Sequence, residues 1–256
     1  MLNAQTVVVV VMATTSAVMW WLWLRRWKAT GAIGPQVESS PVAINPVAAG
    51  LTLAMIAYSL VSVLLPAQAD VKVIPSIENV WRACLVNGLL VLVLLLTLIG
   101  NDVRRFAAFG FSLNNCRRQL GDGIETALAS FLPVLAVLRV TSPFRSPEEQ
   151  HPYLRLLEQD ASLPVLGAVL LAAVVLAPLL EELMFRVIVL GWLKPYATST
   201  EAIAISSVLF AAVHGPLNGL ALLPLAVLLG SLYDRKRSFW SVFVAHAFFN
   251  YWNILL

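Results

Sequence analysis

Several polar side chains lie inside stretches of this sequence that are otherwise long and apolar. Residues 161–180 contain no charged side chain, yet two glutamates and an arginine follow directly, and the apolar pattern then continues. An ionisable side chain at mid-membrane costs about 2.5–3.5 kcal/mol on insertion scales, so such residues usually face a partner or a cavity. The polar residues singled out in this way are Glu181, Glu182, Arg186, His214, His246 and Asn250.

These residues could act together in one chemical step. The depth of each residue can be estimated at 1.5 Å per residue from the nearest basic or capped end of its helix. Glu181 and Asn250 each lie about 20 Å from that end, and His214 lies about 24 Å from it. Three helices therefore carry polar groups at similar depth. A carboxylate and an imidazole can share a water and remove its proton. A second imidazole, that of His246, and an amide can donate hydrogen bonds to a developing oxyanion. Peptide hydrolysis needs these two functions.

Each polar residue also has a purely structural interpretation. Glu182 and Arg186 are four residues apart on one helix face, which favours a buried salt bridge. Glu181 is rotated by about 100° from that face and needs another partner. A single histidine in a membrane helix is commonly an interhelical hydrogen-bonding group. His246 and Asn250 could satisfy each other, since they too are four residues apart.

Three short motifs in this region resemble those of a known family. "EELMFR" (181–186) fits E-E-x-x-x-R, "FAAVH" (210–214) fits F-x-x-x-H, and "HAFFN" (246–250) fits H-x-x-x-N. In this order, on apolar helices, they resemble the CaaX-protease and bacteriocin-processing family of intramembrane proteases, also called CPBP or Abi, which includes type II CaaX prenyl endopeptidases. The resemblance covers 166–250.

The resemblance implies a role for each motif residue. Glu181 and His214 would activate the water, and His246 and Asn250 would stabilise the oxyanion. The residues expected to support the site are Glu182, Arg186 and Phe210.

The sequence leads us to expect no cofactor and no metal ligand set. Two carboxylates and two imidazoles could in principle hold zinc, and the family was long labelled metalloprotease. However, the chain has no H-E-x-x-H motif, which would place two ligands one turn apart. We therefore favour a metal-free, glutamate-type mechanism.

The composition indicates an integral membrane protein. Hydrophobic residues make up 59% of the 256 residues and charged residues only 12%. So few charged side chains could not cover the surface of a soluble domain. The formal charge of +3 is spread over short basic clusters between apolar runs, a pattern typical of membrane orientation and not of nucleic-acid binding. The lipid bilayer is the expected partner, and nucleic acid is not.

The apolar runs predict an all-α, polytopic bundle of about eight helical segments. The first run, 1–24, ends in "WWLWLRRWK" and is interpreted as a retained span and not a cleaved signal peptide. The fourth is the weakest, since it has only thirteen uncharged residues between Glu125 and Arg139, with Pro133 among them. "HGP" at 214–216 divides the run 202–233 into a hairpin of two short helices. Thr198 and Glu201 have capping-box spacing at the start of this hairpin. The remaining runs are 41–69, 83–101, 161–194 and 238–256.

The motifs divide the chain into N-terminal accessory helices, 1–160, and a catalytic helical core, 161–256. The expected substrate is a membrane-associated peptide or protein. In eukaryotic relatives it is a prenylated CaaX tail, but these motifs do not define the substrate here. Two other functions use the same buried residues: a proton-coupled transporter, and a non-catalytic immunity or scaffold protein.

Alternation of eight segments predicts that both termini are non-cytoplasmic, with the plasma membrane as the expected location. The basic residues near Arg117 and Arg235 then face the cytoplasm, and the acidic loop near Glu148 faces the other side. Accessibility of tags at these positions and at the N-terminus would check the orientation. A cytoplasmic N-terminus would show that a segment is miscounted.

Overall fold

The structure, a computed structural model, describes residues 4–31, 42–65, 74–100, 104–145 and 151–255. These residues form helices and no strand, which confirms the predicted all-α class. The helices are α1 Ala4–Thr30, α2 Pro46–Leu64, α3 Ile77–Ile99, α4 Arg105–Ala108, α5 Cys116–Thr141, α6 Pro152–Gln159, α7 Leu163–Leu193, α8 Ser199–Ala212, α9 Pro216–Lys236 and α10 Phe239–Leu255.

All eight predicted segments are helices, and α4 and α6 are two further short ones. Within the described ranges, six helices are long and apolar enough to cross a membrane: α1, α2, α3, α5, α7 and α9. The weak fourth segment is part of α5, whose apolar stretch extends over Cys116–Phe144. The two shorter predicted segments, α8 and α10, have 14 and 17 residues.

The first three helices turn most of their apolar surface outward. Their most apolar windows have mean hydropathies of 2.0 to 2.4, yet only 17% of each window is buried inside the protein. Leu85, Leu89 and Leu96 of α3 are examples of large exposed side chains. Such surfaces are stable against lipid and would be costly in water.

Helix α7 is the central element of the bundle. All eight residues of Leu183–Leu190 are buried, including the charged Arg186, as expected for a mostly apolar helix that is surrounded by neighbours. Two parts of it, Leu171–Leu176 and Leu183–Leu190, have π-helical hydrogen bonding. These two parts flank the motif carboxylates, and π-bulges are frequent at functional sites.

Opposite charges join the ends of several helices on one side of the bundle. Ion pairs connect Lys194 to Asp234, and Lys236 to Asp122, so the ends of α7 and α9 meet the start of α5. Arg26 at the end of α1 pairs with Glu125 of α5. These basic clusters therefore share one end of the bundle, as predicted. The side of the membrane on which that end lies stays a prediction, and the acidic loop 146–150 lies outside the described residues.

A proline explains how α1 attaches to α5. Pro133 has no backbone N–H, so it cannot donate to the carbonyl of Ala129 four residues earlier. The buried hydroxyl of Ser16 and the indole Nε1 of Trp20 donate to that carbonyl instead, each at 2.9 Å. The proline thus creates the acceptor that holds α1.

The α8–α9 hairpin requires glycine at two positions. The predicted capping box is present at its start, where Thr198 and Glu201 bond each other's backbone N–H groups. Gly215 adopts φ +82° in the turn, a conformation that glycine allows at little cost. At Gly219 an added Cβ would lie 2.1 Å from the Ala211 carbonyl oxygen, so α8 and α9 can touch only because this side chain is absent.

We expect Gly219→Ala to lower stability, because the new methyl group must push the two helices apart. Overpacking of this kind costs about 1–3 kcal/mol. Gly167→Ala is the matched control, since no atom lies within 4 Å of its added Cβ and alanine is the better helix former. Thermal unfolding in detergent would measure both. A Gly219→Ala protein as stable as the Gly167→Ala protein would contradict the close approach.

Candidate active site

Glu182 and Arg186 form a fully buried ion pair on α7. Nε of Arg186 lies 3.2 Å from Oε2 of Glu182, and neither side chain is exposed to solvent. The two atoms are close enough for ionic attraction, although their alignment does not make a hydrogen bond. Nη2 of Arg186 donates to the Ala226 carbonyl at 3.4 Å, and its guanidinium lies 4.8 Å from the centre of the Phe210 ring. The ion pair predicted from the spacing is therefore present.

The other oxygen of Glu182 holds His246. Oε1 of Glu182 lies 2.8 Å from Nδ1 of His246, and both side chains are buried. Because Arg186 keeps its charge, Glu182 is expected to be an ionised carboxylate, which can only accept a hydrogen bond. The imidazole proton therefore belongs on Nδ1 of His246, and Nε2 points away from Glu182.

His214 is oriented in a similar way by the backbone. It lies in the turn after α8, with Nδ1 2.7 Å from the carbonyl oxygen of Phe210. A carbonyl can only accept, so Nδ1 carries the proton and Nε2 is bare in the neutral ring. The buried Phe210 ring packs against His214 at 4.6 Å and against His246 at 5.7 Å between ring centres. Phe210 thus fixes the positions of both imidazoles.

Glu181 meets both histidines. Its Oε2 lies 3.8 Å from Nε2 of His214 and 3.7 Å from Nε2 of His246. These separations are too long for direct hydrogen bonds and fit a group bridging the three atoms. The side chain of Glu181 is 24% exposed, whereas that of Glu182 is completely buried. The two adjacent carboxylates therefore face different environments, as their rotation around the helix predicts.

A cleft of about 600 Å³ leads to Glu181 and His214. Its walls come from α2 and α3 on one side and from α7 and the turn before α9 on the other. Most of the lining is apolar, for example Leu51, Leu90 and Met184. A substrate in this cleft would reach the exposed carboxylate while remaining in an apolar environment.

Asn250 is bound to α7 at another point. Its Nδ2 donates to the Ala173 carbonyl at 2.9 Å, and its described hydrogen bonds include none to His246. Around Ala173 the helix has π register, in which the N–H of Ala177 bonds to the Ala172 carbonyl. The donor for Ala173 in that register would be residue 178, which is a proline without an N–H. Pro178 thus frees the carbonyl that Asn250 captures.

The structure therefore connects six of the seven motif residues, Glu181 among them, and joins the seventh, Asn250, to α7 through the Ala173 carbonyl. His214, His246, Glu182, Phe210 and Arg186 are connected to one another by the contacts above. Asn250 lies one turn beyond His246 on α10, and its second amide hydrogen is not used by Ala173.

Sequence analysis overlooked Pro178 and the cleft-lining residues of α2 and α3. Pro178 lies three residues before Glu181, and a proline inside a helical run signals a carbonyl that needs another donor. The α2 and α3 residues carry no motif. Only Asn87, a lone amide within an apolar span, could have drawn attention.

In their neutral forms the two imidazoles present Nε2 atoms that, with one carboxylate, are donors of the type found in catalytic zinc sites. Each imidazole is also oriented by an acceptor on its other nitrogen, as metal-bound histidines usually are. Within the residues that the structure describes, however, no group of three or more His, Cys, Asp or Glu side chains is placed so that it could hold a metal ion. The donor types fit zinc, and the metal-free reaction expected from the sequence stays a prediction.

The apolar helices and the buried site define an integral membrane protein with a glutamate–histidine cluster at an apolar cleft. Residues 164–252 match the family model described as type II CAAX prenyl endopeptidase Rce1-like. Residues 164–252 are thus similar to this family, in agreement with the resemblance that the three motifs carry. Comparisons with curated proteins and with solved structures gave no match.

The hydrogen bond of Asn250 leads to a prediction about stability. Asn250→Ala should lower the free energy of unfolding by about 0.5–1.5 kcal/mol, because the Ala173 carbonyl loses its donor. In a Pro178→Ala background the loss should be smaller, since residue 178 can then donate to α7 itself. A double-mutant cycle from thermal unfolding in detergent measures this coupling.

Asn253 provides the control for this cycle. It is also on α10, but its amide donates to the Phe249 carbonyl of the same helix. Asn253→Ala should therefore show no coupling to Pro178→Ala. Equal coupling for both asparagines, or none for Asn250, would contradict the proposed role of Pro178.

Proposed function

We propose that this protein is an intramembrane endopeptidase that hydrolyses a peptide bond of a membrane-associated substrate. The observation that carries the proposal is the position of Glu181, whose Oε2 lies 3.7 and 3.8 Å from two oriented imidazole Nε2 atoms. This carboxylate also lines the cleft. The match to a peptidase family over 164–252 supports the same function.

The first step of the proposed mechanism is the activation of a water by Glu181 and His214. A water between these residues donates one hydrogen bond to the carboxylate and one to the bare Nε2, which raises electron density on its oxygen. That oxygen forms a bond to the carbonyl carbon of the substrate as Glu181 takes the proton. The same proton then passes to the leaving nitrogen, and the C–N bond breaks.

His246 and Asn250 are proposed to stabilise the oxyanion formed in this step. The Glu182 carboxylate holds the Nδ1–H of His246, and in the doubly protonated ring the Nε2–H can donate to a negative oxygen. The second amide hydrogen of Asn250 is a further donor. Donors of this kind act on the transition state, because the charge develops only there.

The setting of the cleft supports a membrane-associated substrate. Apolar helices form its walls, so the reacting segment would enter from the membrane and not from bulk water. The family description refers to CAAX prenyl substrates, and a lipid-modified or membrane-inserted peptide would suit such a cleft. The N-terminal helices α2 and α3 would then act as accessory walls for a core formed by 161–256.

The decisive experiment compares wild-type protein with Glu181→Gln. Glutamine keeps the size of the side chain but cannot accept the proton, so cleavage should fall by about 100-fold or more in folded protein. Mapping of peptide termini in membranes containing each variant would identify the bond, and a synthetic peptide spanning it would give the rate.

Glu201→Gln is the matched control, because Glu201 caps α8 and glutamine can replace it in a capping box. Its cleavage rate should equal that of the wild type. Near-normal cleavage by Glu181→Gln would contradict the proposal. Proton-driven uptake without any cleavage would favour a transporter, and loss of folded protein in every motif variant would favour a scaffold.

We also propose that the reaction needs no metal ion. Purified active protein should retain its activity after strong chelation and should contain less than one zinc per chain. Removal of a required metal would instead abolish the activity. Metal analysis and peptide cleavage before and after chelation would check this. Activity that is abolished by chelation and restored by zinc would contradict it.

A further inference from the structure

Asn87 is a polar residue in the interior of an apolar helix, α3, which has 23 residues. It lies about 15 Å along the helix axis from the start of α3 at Ile77. The same helix also contributes apolar side chains to the cleft, among them Val86, Leu90 and Val93. An asparagine at this depth is expected to have a hydrogen-bonding partner, because no water is available in the hydrocarbon.

No such partner is present among the described residues. The side-chain amide of Asn87 makes no hydrogen bond within that part of the protein. Two other polar side chains line the cleft from α2: the Ser59 hydroxyl donates to the Met55 carbonyl at 3.0 Å, and Tyr58 is 76% exposed. Asn87 therefore offers both a donor and an acceptor to whatever occupies the cleft.

The same cleft contains Glu181 and His214. Asn87 lines it together with these two residues, and α3 packs against Leu171–Leu176 and Ala177–Glu182 of α7. A primary amide has a carbonyl and an N–H₂ group, so it can pair with the N–H and C=O of a peptide group. A lipid chain offers neither group, whereas a peptide that enters the cleft offers both.

We propose that Asn87 binds the backbone of the substrate peptide while Glu181 acts on the scissile bond. The inference rests on the proposed peptidase function and adds a substrate-binding residue from α3. The amide pairs with the peptide in the ground state and in the transition state alike. Its loss should therefore raise KM and leave kcat nearly unchanged.

The test compares Asn87→Leu with wild-type protein on one peptide probe. The probe is an internally quenched synthetic peptide spanning a bond whose cleavage depends on Glu181. We expect KM to rise about three- to tenfold, the effect of one neutral hydrogen bond, with kcat within about twofold. The melting temperature should stay equal or rise, because leucine removes an unpaired amide from an apolar helix.

Asn79→Leu is the matched control, since Asn79 is an exposed asparagine at the start of the same helix and does not line the cleft. Its KM should equal that of the wild type. An unchanged KM for Asn87→Leu would overturn the inference while leaving the proposed function intact. A lower melting temperature or a changed oligomeric state, with unchanged KM, would assign the amide to structure instead. Absence of any Glu181-dependent cleavage in the wild type would overturn the proposed function and this inference together.

Discussion

The buried carboxylate of Glu182 is the group on which the arrangement of the site depends. It lies between Arg186 of its own helix and His246 of α10, and none of these side chains is more than 3% exposed. A charge at such a position is stable only when it is paired, and removing one partner typically costs about 3–5 kcal/mol. The same contact joins α7 to α10, places the proton of His246 and directs its other nitrogen toward Glu181. Helix packing, the position of the His246 proton and the proposed catalysis therefore depend on one carboxylate.

Prolines contribute to this architecture by creating acceptors. Pro133 in α5 frees the Ala129 carbonyl for α1, and Pro178 in α7 frees the Ala173 carbonyl for Asn250. In a bilayer every backbone polar group needs a partner from the protein, so each freed carbonyl becomes a specific attachment point. On α7, Ala173 comes before Glu182, whereas on α10 the partner of Ala173, Asn250, comes after the partner of Glu182, His246. These two contacts therefore hold α7 and α10 as an antiparallel pair.

Sequence analysis predicted the features that depend on local spacing. The Glu182–Arg186 pair follows from a separation of four residues, and the capping box of Thr198 from a separation of three. The meeting of Glu181 with His214 and His246 needed the family resemblance, because hydropathy fixes neither the order nor the rotation of packed helices. The partner of Asn250 depends on a π register that no periodicity reveals. The position of Asn87 in the cleft depends on how α2 and α3 pack.

The central claim is that the ionised Glu182 keeps a proton on Nδ1 of His246 and directs Nε2 at Glu181. Nitrogen-15 NMR of histidine-labelled protein in lipid, with His246 assigned from its glutamine variant, measures this directly. The account predicts a protonated Nδ1 in His246, whether the ring is neutral or positively charged. A neutral His246 ring with its proton on Nε2 would contradict the account, because Glu182 would then not be acting as the acceptor.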